Sequence, residues 1–138
     1  MFGLTMLKHK RVLIQVFSDC FLPLKDDLGN VPIAMQTSKF ITASILGICR
    51  AYEEQQHINE RNFDLLVDVI FEEIFRRESV SVQTLTESWL QSSDAEFLHY
   101  YYAAKSKASS SADLSWLQHQ ASKEFKQSHT VVFPLWKR

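Results

Sequence analysis

Apolar residues recur at three- and four-residue steps along most of the chain, the spacing of a helix with one face turned to a core. Leu13, Val16, Phe17, Cys20 and Phe21 make the first stripe and predict a helix over 8–22, which Pro23 helps to end because it lacks an amide donor. Gly29, Asn30 and Pro32 then mark a loop over 25–32. A second helix is predicted over 33–55, with Phe40, Ile41, Ser44, Ile45, Ile48 and Cys49 on one side. Its Gly47 costs helix stability unless a neighbouring helix packs close against it, which is the expected reason for it. In the third helix, over 59–77, Phe63, Leu66, Val67, Ile70 and Ile74 form the stripe. Leu65, Val69, Phe71 and Phe75 add apolar surface off it, which places this helix at the centre of the core.

The second half of the chain is less regular. A short fourth helix is predicted over 82–90, although the β-branched residues of Val80-Ser81-Val82 suit an extended strand equally well. Ser93 followed by Glu96 matches a capping box and opens a fifth helix that runs through 105. Phe97, Leu98, Tyr101 and Tyr102 are expected to face the core and Tyr100 to look elsewhere. The serine-rich stretch 106–111 reads as a loop, after which Ser110 and Asp113 start a sixth helix through Leu114, Leu117, Ala121 and Phe125. Residues 128–138 are expected to be an extended tail, since Thr130, Val131, Val132 and Phe133 favour that backbone and Pro134 interrupts any ladder. The expected fold is therefore all-α, one domain over 1–138, a compact bundle or orthogonal array of five to six helices with an extended C-terminal tail.

Composition agrees. Apolar residues make up 46% and charged residues 22% of the 138 positions, enough to enclose one core and far from a disordered composition. Three Gly and three Pro are too few turn formers for an all-β sandwich. Cys20 and Cys49 fall inside helical stripes without Cys-x-x-Cys or metal-type spacing, and read as buried thiols of a reducing compartment. The apolar stretch 12–24 after Lys8, His9, Lys10 and Arg11 is interrupted by Gln15, Ser18 and Asp19 and has no cleavage signature. No apolar run reaches the roughly 18 residues that span a bilayer. The expectation is a cytoplasmic protein with no membrane partner.

Charge is unevenly placed. Residues 1–50 carry six Lys or Arg against three acids, 51–100 carry three against eleven, and 101–138 carry six against two. Within the acidic middle, Asp64, Asp68 and Glu72 follow at four-residue steps, so one side of the third helix presents a row of carboxylates flanked by Arg61 and Arg76. This row, together with Tyr100, Phe133 and Trp136, is the candidate interaction surface for a protein partner or for a second copy in a homodimer. An overall net charge of −1 lacks the positive field that drives phosphate binding, so nucleic acid is not expected as a partner.

The candidate chemistry is a metal site. Glu54 and His57, and again Glu96 and His99, are three residues apart, and two such pairs with further carboxylates build the di-iron or di-manganese centres of some helix bundles. Glu72 or Glu73 would supply one further carboxylate, and helix one offers only Asp19. Three features oppose this: Glu54 and His57 stand at a helix end, Glu96 is taken by the cap, and the helices are short. His119 and His129 lie in polar stretches and read as exposed. No Gly-x-Ser-x-Gly turn, phosphate loop or calcium loop is present, and no catalytic residue is assigned. The sequence thus points first to a non-enzymatic helical interaction module without a cofactor. The alternative is a small helical iron-, manganese- or ligand-binding protein. The two part on whether His57 and His99 converge.

Overall fold

Ser38 and Asp94 decide how the two innermost helices are set. Each has a non-helical backbone, and each side chain accepts an amide at a helix start: Ser38 Oγ from Ile41 at 3.1 Å and Asp94 Oδ2 from Phe97 at 3.0 Å. Lys39, first residue of one helix, reaches across to Asp94 at 3.0 Å, so the two starts lie side by side. In the computed structural model, which describes residues 3–130, these helices belong to a set of six: α1 (Leu4–Phe21), α2 (Lys39–Gln56), α3 (Glu60–Phe75), α4 (Ser79–Gln91), α5 (Ala95–Ser110) and α6 (Ser115–Thr130). Short 3₁₀ turns occupy Leu22–Leu24, Ile33–Thr37 and Arg76–Glu78, and the described residues contain no strand. The expected all-α array is what the chain forms. No helix among the described residues is long and apolar enough to cross a membrane.

The centre of the array is α2, not α3 as the apolar count predicts. Ile41, Thr42, Ala43, Ser44, Ile45, Gly47, Ile48, Cys49 and Ala51 are all buried, which covers α2 around its circumference. Small residues make this possible. A Cβ on Gly47 would stand 2.5 Å from the Tyr101 carbonyl oxygen and 3.1 Å from the Lys105 nitrogen, so α5 backbone lies directly on that glycine. The close packing expected at Gly47 is therefore present. Further along, Glu54 pairs with Lys105 at 3.0 Å and the Gln55 amide donates to the Ser109 carbonyl at 3.3 Å. α2 and α5 thus run parallel, start beside start and end beside end. α3 keeps its amphipathic form instead: Phe63, Leu66, Ile70, Phe71, Ile74 and Phe75 are buried while Asp64, Leu65, Asp68, Glu72 and Glu73 face out. On the other flank, His9 is buried with its Nδ1 2.7 Å from the Tyr52 hydroxyl, which joins α1 to α2.

Several boundaries differ from expectation, each for a local reason. α1 begins at Leu4, four residues before the predicted start, and buries Met6. Helix two starts at 39 because Ser38 takes an extended backbone and caps it, leaving 33–37 as a 3₁₀ turn. α3 stops at Phe75, since Arg76 leaves the helix with a φ of 56°. Residues 79–91 are helical despite their β-branched content. Val82 and Thr86 bury one face, and Thr84 and Thr86 satisfy their hydroxyls on the carbonyls of Val80 and Val82. The cap of α5 is Asp94, one residue after the predicted Ser93, which has a φ of 55° in the preceding turn. Serines 109 and 110 extend α5 rather than forming a loop, because their hydroxyls donate to the carbonyls of Lys105 and Ser106. α6 continues through Thr130, so the expected tail does not begin at 128; residues 131–138, with Phe133 and Trp136, lie outside the described residues.

Candidate functional site

α3 and α4 stand against α2 and α5 so as to leave a cleft of about 420 Å³, floored by Leu46, Phe63, Val67 and Phe71 and edged by Asp64, Asp68 and Glu87. The first two acids belong to the predicted row, and Glu72 continues it one turn on. Arg50 also lines the cleft, with its guanidinium 3.8 Å over the Phe63 ring. Its charge is already engaged by Glu53 at 3.0 Å and by Glu60. The ion pairs of the described residues join Lys39 to Asp94 and Glu96, Arg50 to Glu53 and Glu60, and Lys105 to Glu54. None includes Asp64, Asp68 or Glu72, and Arg61 and Arg76 leave the row unanswered. Partial burial therefore pushes the Asp68 carboxyl above the ordinary aspartate range, with the charges of Asp64 and Glu72 adding to the rise.

The tyrosine run is arranged differently from expectation. Tyr100 is half-buried, its ring edge-on to Phe40 at 5.3 Å, whereas Tyr102 is 59% exposed beside Tyr101. The core-facing register is carried by Phe97 and Ala104, seven residues apart, which turns Tyr102 outward.

The residues of the alternative metal site are not brought together. His57 is exposed at the C-terminal end of α2, in a left-handed conformation, and Glu54 beside it is bound to Lys105. Glu96 lies 3.6 Å from Lys39 at the other end of the pair, and exposed His99 rests edge-on to Tyr100. Because α2 and α5 are parallel, the two Glu-x-x-His pairs stand about a helix length apart, roughly 20 Å at 1.5 Å per residue. Glu72 and Glu73 are exposed on α3, and Asp19 of α1 accepts a hydrogen bond from Gln15 at 2.9 Å. Among the described residues no three His, Cys, Asp or Glu side chains gather as a metal ion requires. Both thiols are buried, and burial pushes each up to about 12.

A second concavity, of about 880 Å³, opens between α2, α5, α6 and the turn Ile33–Thr37. Phe40, Tyr100, Ala103, Trp116 and Phe125 give it apolar walls, and Lys39, Glu96, His99, Lys107, His119 and Glu124 give it polar ones. Two of its residues carry buried polar atoms without a hydrogen-bond partner, Ser44 Oγ and Trp116 Nε1. Sequence reasoning assigned neither. The available signal was a serine inside the apolar stripe of helix two, at a position where a hydrophobic residue would serve the core better. Comparison of the chain with known protein families, with characterised proteins and with solved structures finds no match.

Proposed function

We propose that the protein is an interaction module that docks a basic, apolar-flanked segment of a partner protein in the cleft between α3 and α4. The observation that supports this reading most directly is the row Asp64, Asp68 and Glu72, which lacks a cation from the described residues while the other acidic positions of α2 and α5 have one. Unanswered carboxylates beside an apolar floor attract Lys or Arg and give an adjoining aromatic or aliphatic side chain a place to bury. The chain itself carries one segment of that chemistry, Phe133-Pro134-Leu135-Trp136-Lys137-Arg138, which makes a second copy a fitting partner and a homodimer the simplest assembly. Two buried reduced thiols accord with a cytoplasmic setting.

The test is binding of a fluorescent peptide of alternating Lys and Leu with a single Trp, alongside a Glu-for-Lys version, followed by anisotropy at 50 and 300 mM salt. The basic peptide should bind, weaken at high salt, and lose affinity at least tenfold against the Asp64→Asn, Asp68→Asn double variant. Equal binding of the acidic peptide, or of the basic peptide to the double variant, refutes the assignment. Light scattering on a sizing column tests self-association: a dimer that dissociates in the double variant supports the homodimer, and a monomer at all concentrations removes it.

A further inference from the structure

Five helical serines and threonines settle their hydroxyls on the preceding turn. Thr42, Thr84, Thr86, Ser109 and Ser110 each donate to the carbonyl four residues earlier. Ser44, which is buried, does not. It sits in the middle of α2, only 1% exposed, with an Oγ that has no partner. A buried unpaired hydroxyl costs free energy, as does a buried indole N–H without an acceptor, and Trp116 Nε1 is in that condition on the opposite wall of the same groove. An indole N–H can only donate, and a hydroxyl can donate, so one kind of atom answers both: an acceptor oxygen brought from outside the chain.

The surroundings specify what carries that oxygen. Lys107 holds its ammonium 4.5 Å over the Trp116 ring and has no acidic partner among the described residues, so a positive charge borders the indole. Lys39 is shared between Asp94 at 3.0 Å and Glu96 at 3.6 Å, which leaves one carboxylate uncompensated at that end and makes the Lys107 end the one that favours an anion. His99 and His119 contribute further donors to the wall, while Glu124, eight residues beyond Trp116 on α6, marks the far end of that helix as the less suitable one for an anion. Phe40, Tyr100 and Phe125 offer flat apolar surface to the rest of a ligand, and a volume of about 880 Å³ lies within the range that small-molecule sites occupy.

We propose that the groove between α2, α5 and α6 is a binding site for a small amphipathic carboxylate, an acyl or aryl acid with its oxygens toward Ser44, Trp116 and Lys107 and its apolar body along Phe40, Tyr100 and Phe125. Both orphan atoms are covered in the free protein, so the acid enters by a local shift of the groove wall and completes their hydrogen bonding when bound. The site is separate from the acidic cleft and answers to different residues.

Calorimetric titration of the full chain with octanoate, octan-1-ol and octyltrimethylammonium, all below their micellar range, tests this. Octanoate should saturate one site and the ammonium compound should bind at least tenfold more weakly. Ser44→Ala and Lys107→Gln should each weaken octanoate at least threefold and Lys107→Gln should leave octan-1-ol unchanged, while Asp68→Asn leaves octanoate binding intact. Ser44→Ala removes one buried oxygen and Lys107→Gln changes an exposed side chain, so the second variant reports even if the first were to unfold. Head-group-independent binding, no saturation by octanoate, or octanoate affinity unchanged in both variants overturns the proposal.

Discussion

Replacing Gly47 with Ala tests the packing of the two central helices, because two opposed effects meet at that position and their sizes differ. Alanine favours a helix over glycine by about 1 kcal/mol. Its Cβ, however, would stand 2.5 Å from the Tyr101 carbonyl oxygen, 3.1 Å from the Lys105 nitrogen and 3.2 Å from the Ala104 Cβ. Ordinary carbon–oxygen approach is about 3.3 Å or more, so α5 must retreat by something under ~1 Å. The obstacle is backbone, which cannot rotate aside, and retreat loosens a contact that runs the length of both helices. Overpacking of this kind costs about 1–3 kcal/mol, and subtracting the propensity gain of about 1 kcal/mol leaves a net loss of about 0–2 kcal/mol, centred on about 1 kcal/mol. In a domain of this size the melting temperature should fall by about 5 °C. Urea unfolding followed by circular dichroism should show a lower midpoint with an unchanged slope. Stabilisation by about 1 kcal/mol, the result for a glycine on an open helix face, would refute the parallel α2/α5 contact.

Other outcomes follow from single side chains. Asp94 has its carboxyl held below the ordinary range, first by the Phe97 amide and then by Lys39, so the ionised form is favoured in the folded state. Its contribution is present above about pH 4, the unfolded value, and lost as pH falls through the lower folded one; Asp94→Asn should flatten that part of the melting profile. Cys20 and Cys49, with thiols pushed up to about 12, should resist alkylation at pH 8 in the folded protein and react fully in denaturant. Because these thiols ionise more readily once unfolded, stability should decline as pH rises above about 8.5. Ser44→Ala should leave the free protein as stable as before or raise stability by up to about 1 kcal/mol, since the hydroxyl it removes has no partner. A clear fall in melting temperature would mean that the hydroxyl is bonded in the free chain.

Helix identity was readable because Leu13, Phe17, Cys20 and Phe21, or Phe63, Leu66, Ile70 and Ile74, repeat a spacing that only a helix turns to one side. What periodicity does not carry is which helix lies in the middle. α3 has more apolar bulk, yet α2 is surrounded, because Ala43, Gly47 and Ala51 let neighbours approach closely and bulk does not. Serine is the other source of error. In 106–111 it suggests a loop by composition, but Ser109 and Ser110 bond back to the preceding turn and lengthen α5. At 93 it resembles a cap, but Asp94 offers a carboxylate one residue later and takes the Phe97 amide. The acidic row was legible from spacing alone. The cleft beneath it was not, because its floor comes from Leu46 and Phe63 on different helices. The Glu-x-x-His pairs illustrate the converse: each has the right local spacing, and only the parallel order of α2 and α5 sets them at opposite ends.

The central claim is that Asp64, Asp68 and Glu72 of α3 have no cation among the described residues and are the carboxylates we propose to be kept for a partner. Asp68 has its folded value raised by burial, Asp64 and Glu72, so its charge is opposed by the folded state at neutral pH and the penalty disappears below the unfolded value near pH 4. The most direct measurement is the melting temperature of Asp68→Asn against the parent chain from pH 7 down to pH 3. The account predicts a variant that melts higher at pH 7 and converges on the parent as the carboxyl is protonated. A variant that melts lower at pH 7 would show that Asp68 is paired inside the fold, and the acidic row would then be structural.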